Sequence, residues 1–265
     1  MDIQALKARV QAEVDARREE LIRIADTIHA HPEVAFEEFE SAALLSGVLE
    51  KNGFAVQRGV ANLETAFIAT LQGAAARPVI AFLAEYDALP GLGHACGHNL
   101  IGTAAVGAAL AVQTVLPELA GSIRVIGTPA EEGGGGKVYL VDGGVFDDVD
   151  AAMMVHPSSR NMTRRRSLTS YKISIEFFGR AAHAAALPDE GINALEAMIL
   201  TFNAINSLRQ HLRDDVRIHG IITHGGKAPN IVPDYAAGRF YVRAADTPYC
   251  TKVLEKVRAC AEGAA

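Results

Sequence analysis

The stretch Val79-Ile80-Ala81-Phe82-Leu83-Ala84, followed by Glu85-Tyr86-Asp87 and then by His94-Ala95-Cys96-Gly97-His98-Asn99, decides how this chain reads. Six consecutive apolar residues are the pattern of a strand covered on both faces. An acidic turn follows. Three potential metal ligands, His94, Cys96 and His98, then share a turn that also carries Gly91, Gly93 and Gly97. Glycine permits the backbone conformations that aim neighbouring side chains at one point. Residues 101–116 come next, rich in alanine at Ala104, Ala105, Ala108 and Ala109. They predict a slim helix that lies close against a sheet.

Working outward, Leu6, Val10, Val14, Leu21, Ile24 and Ile28 fall at helical spacing and predict one helix over residues 2–29, ending before Pro32. Residues 37–52 predict a second amphipathic helix, with Gly53 as its stop. Residues 65–71, 122–127 and 151–155 read as further strands. Strands alternating with helices predict an α/β fold, a largely parallel sheet sandwiched by helices. After Pro157 the texture changes. Residues 168–178, 216–224 and 235–244 read as strands, and residues 194–212 and 248–260 as helices. That order is a ferredoxin-like α+β arrangement lacking its last strand. A boundary near residues 158–167 divides the chain into 1–162 and 163–265. The last residues, Glu262-Gly263-Ala264-Ala265, stand where the missing strand is expected to begin.

At 265 residues and 49% hydrophobic composition, the chain has room for one large or two modest domains. Lys and Arg number 25 against 31 Asp and Glu, a net charge of −6, and the largest basic cluster is Arg164-Arg165-Arg166. This balance argues against nucleic acid as a partner, and the triplet is expected on a solvated connection between domains. Three cysteines, an odd number, make no disulfide framework and suit a reducing compartment. The charged N-terminal stretch has no uninterrupted apolar region of the signal-peptide kind, and no charge-free apolar run reaches membrane-spanning length. The expectation is a soluble, cytoplasmic protein.

The chemistry gathers at the predicted strand ends. Cys96 and His98 are good ligands for zinc. In isolation the pair reads as a buried thiol and an exposed ring, but the strand before it and the packed helix after it favour a metal. Glu131-Glu132 follows the strand of residues 122–127 and precedes Gly133-Gly134-Gly135-Gly136. Adjacent carboxylates usually mark a solvated surface. At the carboxyl end of a core strand they allow a division of labour, one binding a cation and the other taking a proton from the attacking water. The glycine run lacks the spacing of a phosphate-binding loop. His156, at the end of a third strand, is read as a ligand against the commoner structural role. Asp87 is either a ligand or, preferably, a carboxylate that holds an imidazole in its binding tautomer. His183, in Gly179-Arg180-Ala181-Ala182-His183, is either a surface ring or an oxyanion donor. Asn230 and Arg243 read as a turn residue and a salt-bridged cation, or as binders of a substrate carboxylate. His94 is expected to line the pocket. Cys96 acting as a nucleophile with His98 as its base is the weaker alternative, because two residues on one tight turn meet poorly.

Asp87-Ala88-Leu89-Pro90, His94-Ala95-Cys96-Gly97-His98, Pro129-Ala130-Glu131-Glu132-Gly133 and Asn230-Ile231-Val232-Pro233 occur in an order that resembles the dinuclear metallopeptidase family of aminoacylase, glutamate carboxypeptidase and the auxin-conjugate amidohydrolases. Glu85-Tyr86-Asp87-Ala88-Leu89-Pro90-Gly91, with Asn99 after the second His, is most similar to the branch of aminobenzoyl-glutamate hydrolases and β-alanyl-lysine-type dipeptidases. The resemblance runs from near Ile28 to the end. It implies a phosphorylase/hydrolase-like catalytic domain with a smaller lid or dimerisation domain. It implies Cys96, His98, Glu132 and His156 as ligands of two divalent cations, zinc first, with manganese or cobalt as alternatives. It implies Glu131 as general base, Asp87 as the supporting carboxylate, His183 as a donor to the partner subunit's tetrahedral intermediate in a homodimer, and Asn230 with Arg243 as binders of the substrate carboxylate. The implied reaction is hydrolysis of the amide bond of a dipeptide or N-acyl amino acid.

One departure stands out. Such proteins return to the first domain and there supply a last His ligand, whereas no His follows His224 in this sequence. The expectation is a C-terminally truncated chain with unbalanced metal loading, little turnover, an exposed sheet edge and poor solubility. The rival reading is an impaired or regulatory subunit that binds metal or substrate without turnover.

Overall fold

The computed structural model describes residues 2–163 and 167–265. The Arg164-Arg165-Arg166 triplet lies outside the described residues. The chain divides into two compact units, Met1–Asn161 and Met162–Ala265.

The first unit opens with α1 (Ile3–Ala16) and α2 (Arg18–Ala30), two helices where apolar spacing predicts one. The break is at Arg17, whose side chain bonds Glu13 on one side and Glu20 on the other. Neither Pro nor Gly marks it, so periodicity alone could not reveal it. Only α2 contributes buried residues, Ile24, Ala25 and Ile28. Next come α3 (Phe39–Lys51), stopped by Gly53 at φ +87°, and the strand β1 (Ala55–Arg58). The sequence reading missed β1, which is short, half polar and at the sheet's edge. Then follow β2 (Phe67–Gln72), β3 (Val79–Ala84), α4 (His98–Gln113), β4 (Ser122–Gly127), α5 (Gly136–Asp142) and β5 (Ala151–Met153). The helix α5 was hidden by the glycines before it, since glycine weakens any helical prediction.

The sheet order is β1-β2-β4-β3-β5. β3 is parallel to both β4 and β5, while β2 is antiparallel to β4 and to β1. Four of the five strands therefore run the same way, which is the largely parallel sheet expected. Residues alternate between two cores. Phe67, Ala69, Ala84 and Val125 face Ile28, Leu45, Leu49, Val106 and Leu110 of the helices α2, α3 and α4. Ala81 and Ile126 face Leu140 of α5 and Val145 on the other side. Small residues let α4 approach closely. A Cβ on Gly102 would come within 2.9 Å of both the Glu85 carbonyl oxygen and a Leu45 methyl.

Glu38 ties three segments of this unit together. Its side chain is fully buried and accepts hydrogen bonds from the backbone N–H of Phe36 (3.0 Å), the N–H of Ala130 (2.8 Å) and the Thr65 hydroxyl (3.0 Å). Burial pushes its carboxyl above the ordinary carboxylate range, and the hydrogen bonds offset only part of that.

The second unit runs β6 (Thr169–Phe178), α6 (Ala194–Leu208), β7 (Arg217–His224), β8 (Tyr235–Ala244) and α7 (Thr247–Ala264), with an antiparallel sheet in the order β6-β8-β7. The side chain of Asn193 caps α6 by accepting the N–H of Leu195 and Glu196. The predicted helix end at residue 212 is instead a separate 3-10 turn, Arg209–His211. Met198 and Ile205 of α6 and Val253 and Val257 of α7 pack with Phe240 and Val242 on one sheet face. α7 continues through Ala264, so the residues expected to begin a strand are helical.

Two outcomes test this architecture. Gly102→Ala must push α4 off the Glu85 backbone, and is expected to destabilise by about 1–3 kcal/mol in urea unfolding. Glu38→Ala leaves buried N–H groups unpaired, at about 1–3 kcal/mol each, whereas Glu38→Gln keeps an acceptor. The folded state holds the Glu38 proton more tightly than the unfolded state. The penalty of the ionised form is therefore absent below the unfolded pKa and develops as pH rises through the folded one. The stability of Glu38→Gln relative to the parent is expected to improve between pH 4 and pH 7; no change would contradict this role.

Candidate metal centre

Because β4, β3 and β5 are adjacent and parallel, their carboxyl ends share one edge of the sheet. Glu85 and Asp87 follow β3 directly, and Glu131 and Glu132 follow β4 within five residues. His156 was expected at a strand end, but β5 stops at Met153 and the ring stands three residues beyond it. Cys96 and His98 arrive on the turn into α4, with His98 as the first helical residue. Gly97 makes this turn possible. Its φ is +78°, and a Cβ there would lie 2.9 Å from Cγ of Pro157, the neighbour of His156. Ala130, with φ +59°, makes the second sharp turn, and its carbonyl accepts the N–H of Gly134 and Gly135.

The ligand atoms of Cys96, His98 and Glu132 lie within 4.8 Å of one another, and so do those of Glu85, His98 and His156. The structure thus brings Cys96, His98, Glu132 and His156 to one place and adds Glu85, which the sequence showed only as part of an acidic turn. The His98 and His156 rings are edge to face at 5.9 Å. His156 Nδ1 lies 2.8 Å from the Pro157 carbonyl, so Nδ1 carries the proton and Nε2 keeps its lone pair. Glu131 is the outermost of these carboxylates, its side chain 45% exposed and its Oε2 4.0 Å from His98 Nε2.

Asp87 is 1% exposed and supports two of these residues. One oxygen lies 2.9 Å from His98 Nδ1 and the other accepts the Glu132 backbone N–H at 2.8 Å. This geometry turns the His98 Nε2 lone pair toward the cluster. Burial alone would raise the Asp87 carboxyl, but the His98 bond and the Glu132 N–H hold it below its ordinary value. Burial lowers the His98 ring, and the Asp87 hydrogen bond together with the charges of Asp87, Glu85 and Glu132 raises it overall.

The cluster carries an excess of acidic groups. Burial, Glu85 and Glu132 push the Glu131 carboxyl up. The hydrogen bond to Glu132, with burial and the other carboxylates, pushes the Cys96 thiol up to about 11. Lys137 of α5 pairs with Glu85, a contact the sequence did not signal. Two buried atoms, Glu85 Oε2 and His98 Nε2, have no hydrogen-bond partner. Thiolate, imidazole and carboxylate donors with orphaned, inward acceptors fit a divalent cation, which would relieve both the charge and the lost hydrogen bonds. His94 is buried rather than open to a pocket, with neither ring nitrogen bonded, and it tilts against His29 at 6.3 Å.

In the second unit, His183 pairs across a β-bridge with Ile231, and the Ala184 N–H donates to the Asn230 carbonyl at 3.0 Å. His183 and Asn230 are thus exposed on neighbouring segments. The His183 Nδ1 accepts the Ala186 N–H at 3.1 Å, so a neutral ring carries its proton on Nε2. Arg243 lies half-buried on β8, its guanidinium 5.4 Å from the Tyr241 ring centre and opposite Arg217 on β7. Its Nε is buried with no partner, so the salt bridge considered for it is not made there.

Residues 81–217 match the model of Peptidase family M20/M25/M40. The chain is 43% identical to one of the two subunits of the p-aminobenzoyl-glutamate hydrolase of Escherichia coli (strain K12), an alignment covering 95% of this chain and 56% of that protein. It is 38% identical to the Xaa-Arg dipeptidase of Mus musculus, over 100% of this chain and 64% of that protein. It therefore spans less than two thirds of the length of either relative. Among solved structures, the Bacillus subtilis YXEP protein, described as a dinuclear metal binding peptidase of this family, superposes with a TM-score of 0.75 at 25% identity, covering 94% of this chain and 70% of that one. The matched residues include the strands and turns that carry Glu85, Asp87, Cys96, His98, Glu131, Glu132 and His156, and the chain belongs to Peptidase family M20/M25/M40.

Proposed function

We propose that this chain supplies the metal-binding and proton-transfer groups of an amidohydrolase that cleaves a dipeptide or N-acyl amino acid. The observation that carries this reading is the convergence of Cys96, His98, Glu132 and His156 beside a free carboxylate, Glu131. Zinc suits the mixed sulfur, nitrogen and oxygen donors, with manganese and cobalt as alternatives, and two cations are proposed. When bound, divalent cations supply Lewis-acid polarisation of the scissile carbonyl and a more acidic water. Asp87 holds His98 in the tautomer that binds and fixes the Glu132 backbone. Glu131, at the exposed side of the cluster, takes the proton of the attacking water and delivers it to the leaving amine.

The second unit is proposed as a lid and dimerisation domain over residues 163–265. There the His183 Nε2–H donates to the oxyanion of a partner subunit's substrate, and Arg243 with Asn230 binds the substrate carboxylate. The unpartnered Arg243 Nε supports that role. A homodimer in the cytoplasm, acting on small peptides rather than nucleic acid, completes the reading. The net charge of −6 and three free cysteines support it. No helix among the described residues is long and apolar enough to cross a membrane.

Hydrolysis of acyl-glutamates, β-alanyl dipeptides and N-acetyl amino acids in the presence of divalent metals tests the reaction. Glu131→Gln is expected to lower kcat by about 100- to 10,000-fold while metal content is unchanged. Full activity would remove Glu131 from the role of base. Arg243→Met is expected to raise KM by roughly 10- to 100-fold, corresponding to the loss of a charged hydrogen bond, with little change in kcat. An amidated substrate should show no such difference; equal losses on both substrates would argue against carboxylate binding.

A further inference from the structure

Glu85 stands in surroundings that an ordinary structural carboxylate does not have. It is 2% exposed at the end of β3. One oxygen pairs with Lys137 of α5. The other, Oε2, is buried without a hydrogen-bond partner, and His98 Nε2, 3.4 Å from it, is equally unpartnered. Two orphaned acceptors facing each other in a buried space cost free energy unless a cation stands between them. The second oxygen cannot be freed by rotation alone, because Lys137 holds the first. The ligand atoms of Glu85, His98 and His156 lie within 4.8 Å of one another. Donors about 2.1 Å from one tetrahedral zinc stand roughly 3.4 Å apart.

We infer that Glu85 is a further metal ligand, binding through Oε2 beside His98 and His156 while Lys137 fixes the carboxylate through its other oxygen. This rests on the metal centre proposed above and extends its ligand set. Lys137 leaves a single carboxylate oxygen free, so Glu85 binds through one atom. The resulting donor set adds a hard oxygen to the imidazoles of His98 and His156, which suits a borderline cation such as zinc or cobalt.

The test is titration of the metal-free chain with zinc by calorimetry, together with the visible absorption bands of its cobalt form. Glu85→Gln keeps the shape and can still accept from Lys137, but removes the anionic oxygen. It is expected to weaken zinc binding by about 100-fold or more, at the upper end of what loss of a supporting residue produces, and to shift the cobalt bands. Lys137→Met removes the ion pair and keeps the carboxylate; it is expected to weaken zinc binding less than Glu85→Gln does, by about tenfold, as loss of a supporting partner produces. If Glu85→Gln binds zinc like the parent with unshifted cobalt bands, while Cys96→Ala and His98→Ala lose binding, the inference is wrong and the metal centre stands. If Cys96→Ala and His98→Ala also bind like the parent, both fall. Should Glu85→Gln fail to fold, a zinc-soaked crystal of the unsubstituted chain decides. A Glu85 oxygen about 2.0–2.2 Å from the cation supports the assignment, and one beyond about 3 Å overturns it.

Discussion

The Asp87 carboxylate, with one oxygen on the His98 ring and the other on the Glu132 backbone, is the contact on which the candidate metal centre depends. It joins the loop after β3 to the loop after β4 and to the start of α4. A rotating imidazole could offer either nitrogen; this one offers only Nε2, inward. The buried carboxylate is itself stable only because it is fully hydrogen-bonded, so the two ends of the arrangement support each other. Removing either would leave a buried polar group unmatched.

Backbone geometry makes that contact reachable. Parallel pairing of β4, β3 and β5 places three loops on one edge, and a sheet with a different order would scatter the same residues. Gly97 then brings the Cys96–His98 turn against Pro157, and Gly102 lets α4 descend onto the end of β3. Glu38, buried beneath the Glu131 turn, holds Ala130 in its left-handed conformation from below. Rigid elements thus set the positions of the candidate ligands before any cation is considered.

The electrostatics point the same way. Four carboxylates and a thiol gather about two imidazoles with Lys137 as a counter-charge, and two of these groups, Glu131 and Cys96, are pushed up and resist ionisation. Such a gathering is unfavourable in itself, and it persists where a bound cation reverses its sign. The second unit carries a comparable imbalance of the opposite sign at Arg243 and Arg217, directly opposed across β7 and β8. Like charges so placed repel.

Much of this was legible in residue order. The spans of β3, β4 and β8 agree with the apolar runs and alternation that predicted them, because a two-residue period or an unbroken apolar run leaves little other choice. The motifs around Cys96, Glu131 and Asn230 identified the family because the residues of each motif are close together in the chain. The missed elements are those with weak local signals. β1 is short and polar, α5 lies behind four glycines, and the break at Arg17 has no marker residue. Glu38, Glu85 and Lys137 acquire much of their meaning from partners 27 to 92 residues away. The sequence by itself determined which donor types were present and that they followed core strands. Tertiary structure alone decided which atoms face one another, because burial and the loss of alternative hydrogen-bond partners depend on packing that brings distant segments together.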